Sequence, residues 1–177
     1  MKIKKINILL AFSLGAVVLF SSCKKDDGAI PKDIAIADVP VVSTDKDATG
    51  SADVSLANPG VFSGKFKVVL YFPDAPPPTK VDVVVRKSAS TSTVNNNNVK
   101  VFKTGITSFP ASFTVTAAEL STLFGAPLVL NEVYDFAPDI YVGDRRFEAF
   151  PVVGTGTGAG IRAMPFFNEF ARFQVKP

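Results

Sequence analysis

Phe62-Ser-Gly-Lys-Phe-Lys-Val-Val-Leu-Tyr-Phe72 sets Phe62, Phe66, Val68, Leu70 and Phe72 at even positions, with Ser63, Lys65, Lys67 and Tyr71 among the others. Side chains of an extended chain alternate between two faces, so this period of two predicts a strand with one apolar face. Pro73-Asp-Ala-Pro-Pro-Pro78 must end it, because consecutive prolines have no N–H to give to a ladder. Val81, Val83 and Val85 alternate with Asp82, Val84 and Arg86 and predict a second strand.

The same reading extends outward. Residues 88–98 are rich in Ser, Thr and Asn and form a polar connection. Val99 and Val101 mark a third strand with Gly105 as its turn, and Phe113 and Val115 a fourth, introduced by Pro110. Thr116-Ala-Ala-Glu119 has capping-box spacing; Leu120, Leu123 and Phe124 follow as the apolar side of a short helix that Gly125 stops. Residues 133–142, 147–153 and 170–175 supply three more strands. Upstream, residues 43–60 read as a loop ending in Asn58-Pro59-Gly60, and residues 34–42 as an edge strand, where Pro40 is tolerated. Seven to eight short strands and one short connecting helix in a single domain, 34–177, predict an all-β protein: an antiparallel immunoglobulin-like β-sandwich. Tyr134 is placed for a tyrosine-corner role, its hydroxyl bonding upstream backbone. The strand periods leave a small barrel as the competing closure.

Lys2, Lys4 and Lys5 precede an apolar run from Ile6 to Phe20. That run is about 15 residues, short of the roughly 20 that span a bilayer as a helix. It predicts a signal peptide over residues 1–22. Phe20-Ser-Ser-Cys23 resembles the lipobox of bacterial lipoproteins, with Phe20 where that family usually has Leu. The resemblance implies a thioether-linked diacylglycerol on Cys23, cleavage before it and acylation of the new amino group. Several acyl chains, at about 0.8 kcal/mol per buried methylene, make a stable anchor. Lys24, Lys25, Asp26 and Asp27 resemble the lipoprotein export signal of Bacteroidota, which implies display on the outer face of the cell. Residues 23–33 then read as a lipidated tether.

Loss of Lys2, Lys4 and Lys5 with the signal lowers the 19 basic residues to 16, equal to the 16 acidic ones. A neutral mature chain gives no support for nucleic acid as a partner. The single cysteine, once acylated, leaves no intrachain disulfide, so packing must hold the domain.

The chain has no histidine, which excludes a Ser-His-acid triad, a Cys-His pair and any zinc site containing histidine. Paired carboxylates serve glycosidases, and Asp135, Asp139, Asp144 and Glu148 are the candidates, with Asp135 and Asp139 on one face of a strand. Surface charge is the plainer account of them. Calcium would use the same oxygens, but their spacing matches no calcium loop, and no metal or cofactor is expected. Gly154-Thr-Gly-Thr-Gly-Ala-Gly160 lacks the Gly-Lys-Ser/Thr ending of a phosphate loop and predicts a flexible or ligand-contacting surface segment. With no tryptophan in the chain, a sugar-stacking platform is disfavoured; Phe166, Phe167, Phe170 and Phe173 read as core or interface.

Val83-Val84-Val85-Arg86-Lys87, Phe109-Pro110, Thr114-Val115-Thr116-Ala117-Ala118-Glu119-Leu120, Tyr134-Asp135-Phe136 and Glu148-Ala149-Phe150-Pro151 resemble a small Bacteroidota cell-surface lipoprotein domain. They cover less than half of the mature chain and none is a catalytic motif. The resemblance implies surface localisation and a β-sandwich, in proteins that often accompany outer-membrane nutrient-uptake systems. The expectation is a non-enzymatic, lipid-anchored accessory or binding protein of the outer membrane, partnered by the membrane and by an uptake complex or a glycan. A structural or adhesion domain of the envelope is the alternative, and a carboxylate glycosidase a more distant one.

Overall fold

The computed structural model describes residues 39–177. The expected signal peptide, Cys23, the Lys24-Lys25-Asp26-Asp27 tetrapeptide, the tether and residues 34–38 of the expected first strand lie outside the described residues. Nine strands are present among the described residues: β1 (Val42–Lys46), β2 (Val54–Ser55), β3 (Ser63–Leu70), β4 (Lys80–Ser88), β5 (Val99–Ile106), β6 (Ala111–Thr116), β7 (Val133–Val142), β8 (Arg145–Phe147) and β9 (Ala171–Lys176). Two helices join them, α1 (Ala117–Phe124) and α2 (Ala159–Arg162). The protein is all-β. One sheet has the order β1-β3-β6; the other runs β2-β9-β7-β4-β5, with β8 also on β7. All of these pairs are antiparallel except β2 with β9. The sheet curls towards a half-barrel.

The quoted stretch forms β3, with Gly64, Phe66 and Val68 buried and the residues between them wetter. Phe66 is the centre of the core. Its ring lies 4.8 Å from Phe136 and 5.3 Å from Phe113, with Phe102 and Phe173 also within 6.4 Å, so one side chain joins β3, β5, β6, β7 and β9. Val81, Val83 and Val85 of β4 and Val115 of β6 complete this apolar layer. Val84 faces the other way, into a smaller cluster with Ala137 and Phe150.

α1 forms as its sequence requires, with two turns. The Thr116 hydroxyl accepts from the Glu119 amide at 3.2 Å and the Glu119 carboxylate accepts from the Thr116 amide at 2.8 Å. Leu120 is buried on its inner side, and Gly125 ends it by donating back to the last turn.

Several expectations are corrected. Residues 39–41 are not a strand; β1 begins at Val42 and runs through Lys46, inside the stretch read as a loop. Its polar look misleads because Ser43 and Thr44 are buried against a distant segment: the Ser43 hydroxyl donates to Asp45 and accepts from the Asn168 amide, and the Thr44 backbone N–H donates to the Asn168 carbonyl. β3 ends at Leu70, which leaves Phe72 48% exposed beyond it. Gly105 is not a turn. β5 passes through it, and its register against β4 slips twice, so that β5 carries two extra residues between Val101 and Ile106. Gly105 takes φ of 71°, the conformation such a bulge needs and one that a Cβ resists. The strand expected over residues 147–153 is only β8, ending at Phe147, and a second helix, α2, interrupts the glycine-rich run. Tyr134 does not bond upstream backbone directly. Its hydroxyl donates to Glu132 at 2.8 Å, and the same Glu132 oxygen accepts from the Val129 amide at 3.1 Å. Burial first, and Glu132 second, push the Tyr134 hydroxyl far above the usual phenol range.

Replacing Phe66 by Ala removes the ring that five strands share. It is expected to lower the unfolding free energy by about 3–5 kcal/mol in urea titration, against under about 0.5 kcal/mol for Val101→Ala on the exposed side of β5.

Candidate functional site

The outward face of the larger sheet carries charge. β4 presents Lys80, Asp82 and Arg86, β7 presents Asp135, Asp139 and Tyr141, and β9 presents Arg172. The register sets Arg86 opposite Asp135, and Asp135 opposite Arg172. Three neighbouring strands thus place one carboxylate between two guanidiniums. Arg86 donates from Nη2 to Asp135 Oδ2 at 2.8 Å, and Arg172 donates from Nε to Oδ1 at 2.7 Å and from Nη2 to Oδ2 at 3.0 Å. The Asp135 side chain is 1% exposed and that of Arg86 8%. The hydrogen bond to Asp135 is the largest influence on Arg172 and holds its guanidinium above the ordinary arginine range.

Residues 148–170 cross over this face. Phe150 stacks on Arg86, whose guanidinium carbon lies 4.1 Å from the ring centre, and Phe170 covers Arg172 at 4.8 Å. Arg86 Nη1 donates to Asn96 Oδ1 at 2.8 Å, and Asn96 Nδ2 donates to the Pro151 carbonyl at 2.7 Å, which ties the crossing segment to the β4–β5 connection. Downstream, Asn168 exchanges backbone and side-chain bonds with Ser43, Thr44 and Asp45 of β1. Gly156 lies so close to the Ala149 carbonyl that a Cβ would overlap it. The glycine-rich segment is therefore seated on the sheet through a position only glycine fits.

Under this segment is a cavity of about 320 Å³, its polar wall formed by Arg86, Asn96, Arg162, Glu169 and Arg172, with Val94, Phe150, Pro151, Phe170 and residues 154–157 also lining it. A second cleft of about 210 Å³ is apolar. Val42, Pro138, Ile140, Phe147, Ile161 and Phe167 line it, where β7 has lost β9 as a neighbour after Phe136 and not yet gained β8 at Ile140. Pro138, with no N–H to offer, occupies that gap.

The four carboxylates singled out from sequence do not converge. Asp135 is held by its two arginines. Asp139 accepts from Arg146 Nε and Nη2 at 3.0 and 2.6 Å and from the Ala149 amide at 2.8 Å. Arg146 also meets Glu148 at 3.4 Å, and Asp144 is exposed in the β7–β8 turn. Asp139 has Asp82 as its cross-strand partner, and the two are displaced in opposite directions. Burial raises Asp139 against the opposing pull of Ala149 and Arg146. For Asp82 burial is again the largest single influence and acts upwards, but the Gly105 amide, Lys80 and Tyr141 together outweigh it and the net shift is down. Opposite shifts on neighbouring acids are the pattern of an acid–base pair. Neither side chain lines the 320 Å³ cavity, however, and both carboxylates are already engaged. Among the described residues no group of three or more acids lies close enough to hold a metal ion.

The expected phenylalanine cluster divides. Phe173 is core and Phe170 covers Arg172. Phe167 packs on Tyr71, and Phe166 is 94% exposed at a positive φ of 61°. Arg86, Arg172, Asn96 and Phe150 were missed as site residues. The signal for the arginines was present: each is a charge within a run of buried valines or alternating with buried apolar residues, and so calls for a counter-charge on the adjacent strand.

No protein-family model, no curated protein and no solved structure matches the chain.

Replacing Asp135 by Asn leaves two guanidiniums facing a neutral amide and is expected to cost about 3–5 kcal/mol in urea unfolding. Asp139 sets a pH dependence. Its folded pKa is raised above the unfolded value of 3.8, so the folded state binds the proton more tightly. Its contribution is fully favourable below pH 3.8 and is lost as pH rises through the raised folded value. Unfolding free energies measured at steps from about pH 3.5 to 7 should fall less steeply with pH in Asp139→Asn than in the parent.

Proposed function

We propose that this chain is a non-enzymatic binding or accessory protein, anchored by lipid on Cys23 and displayed at the outer membrane beside a nutrient-uptake complex. Its scaffold, in this reading, is an antiparallel immunoglobulin-like sandwich. The observation that carries the proposal is how the acids of the outward face are used. Asp82, Asp135 and Asp139 are each committed to a lysine or arginine, while an open, arginine-lined cavity lies beside them. That is the layout of a surface which holds something, with its carboxylates spent on building the walls. The lipobox-like Phe20-Ser-Ser-Cys23 and the following Lys-Lys-Asp-Asp supply the anchor and the direction of display. The two apolar inner faces that meet at Phe66 support the sandwich, and the segment over residues 148–170 gives it a contact surface at one side.

The test has two arms. In cells expressing the parent chain, the protein should label with palmitate and fractionate with outer membrane, and external protease should reach it; Cys23→Ala should lose the label and the membrane association. Purified parent protein should bind at least one member of a panel of polysaccharides and isolated outer-membrane uptake complexes. Retention of Cys23→Ala in the membrane with acylation intact, or no binding across both panels, would overturn the proposal.

A further inference from the structure

The cavity beneath the glycine-rich segment carries an excess of positive charge on its wall. Three guanidiniums, Arg86, Arg162 and Arg172, stand on its wall, and Glu169 is the one acid among the lining residues. Asp135, which bonds two of the three arginines from behind, is the second acid of the group. Three positive charges against two negative leave an excess of one. A singly charged ligand balances that excess, whereas a phosphate dianion would overshoot it and face Glu169 at close quarters.

The donors are partly unused. Arg86 Nε is buried with no hydrogen-bond partner among the described residues, although native proteins satisfy nearly all buried polar groups. Arg172 commits Nε and Nη2 to Asp135, while its side chain stays 32% exposed. Arg162 is exposed and makes no ion pair among the described residues. A guanidinium presents its N–H groups as a planar fork that matches a carboxylate, and it stays charged at every physiological pH. Gly154 to Thr157 also line the cavity and bring no bulky side chain to it, and Thr155 and Thr157 carry hydroxyls. Asn96 is the remaining amide. Glu169 repels a second anion but accepts hydrogen bonds from a ligand hydroxyl. At about 320 Å³ the space lies at the lower end of the roughly 300–1,000 Å³ range of small-molecule sites.

We propose that this cavity binds a sugar carrying one carboxylate, a single uronic acid or the uronic acid residue of an acidic polysaccharide, with Arg162 and Arg172 on the carboxylate and Glu169, Thr155 and Thr157 on the ring hydroxyls. The proposal rests on the reading of the chain as a binding protein and names the class of its ligand.

The test titrates the purified full-length chain in detergent by calorimetry, using glucuronate and galacturonate, with glucose, sulfate and N-acetylglycine as comparisons. At least one uronate should bind saturably, more tightly than glucose (no charge), sulfate (a dianion) and N-acetylglycine (a carboxylate without the ring hydroxyls). Arg162→Ala alters an exposed side chain outside the Asp135 cluster, so it should unfold like the parent. It should bind the uronate about tenfold more weakly or worse, the loss of one charge-assisted hydrogen bond. Glu169→Gln should narrow the preference for uronate over sulfate. No binding of either uronate overturns the proposal, as does unchanged affinity in Arg162→Ala or equal affinity for glucose, sulfate or N-acetylglycine. If polysaccharides or uptake complexes still bind while every uronate arm fails, this cavity assignment falls and the binding function stands.

Discussion

A carboxylate withdrawn from water stays ionised in a protein only when cations and hydrogen-bond donors replace its hydration, and Asp135 in the middle of the larger sheet imposes that condition on everything around it. Its two oxygens accept three bonds from Arg86 and Arg172. Those arginines come from the strands on either side of β7, so the ion cluster fixes the relative register of β4, β7 and β9. A slip of one residue would turn Arg86 into the apolar core and send Val85 outward. The guanidiniums then need cover of their own, which Phe150 and Phe170 provide as aromatic lids. Both lids belong to the segment that crosses the sheet, and that segment is held where they need it by Asn96, Ala149 and Asn168. One buried acid thus accounts for the register of three strands and for the position of a long irregular stretch.

The inner face obeys a simpler rule. Valines at alternate positions of β4 and the rings of Phe66, Phe136 and Phe173 make up this layer, with Lys46 Nζ 4.5 Å from the Phe173 ring centre at its margin and the Tyr134 hydroxyl satisfied by Glu132. The bulges in β5 serve this face. By absorbing extra residues the strand turns Phe102 inward onto Phe66 and Phe136, at 6.2 and 5.2 Å, and leaves Val101 outside. They also break the regular edge that β5 would otherwise offer to another chain, alongside Lys100 and Lys103.

What the sequence disclosed follows from these two regimes. β3 and β9 were legible because buried apolar residues recur at alternate positions, and β4 and β7 because their runs are dense in β-branched and aromatic residues. α1 was legible because its capping box and its glycine stop are local chemistry. β1 was hidden, since its polar Ser43 side chain and its Thr44 backbone N–H are buried against Asn168, more than 120 residues away, a partner no local pattern can announce. Residues 147–153 resembled a strand because Phe147, Phe150 and the following valines are apolar; Phe150 is in fact an isolated lid over a guanidinium, and Val152 and Val153 face solvent. The acids of the candidate site were found and their meaning was not. Asp135 and Asp139 share a face as expected, but whether a carboxylate is free or neutralised depends on which arginine the register sets opposite it, and register is a property of the folded sheet.

A buried ion cluster is a weak way to gain stability, because desolvation cancels much of the attraction and apolar residues of similar volume often do as well. The cluster on this face needs another justification, and its arithmetic offers one. Two arginines on one aspartate exceed neutrality, and the excess lies on the side that opens to the cavity. Asp135 engages two donors on one edge of the Arg172 guanidinium and fixes its plane, which orients the remaining donors before any ligand arrives, at little further entropic cost on binding. Phe150 and Phe170 lower the local dielectric around that charge and so strengthen whatever it meets. Apolar replacement of a buried ion cluster is often neutral or stabilising, and here it would leave the cavity without its charge. The cluster is therefore better understood as the foundation of a positively charged wall than as a staple between strands.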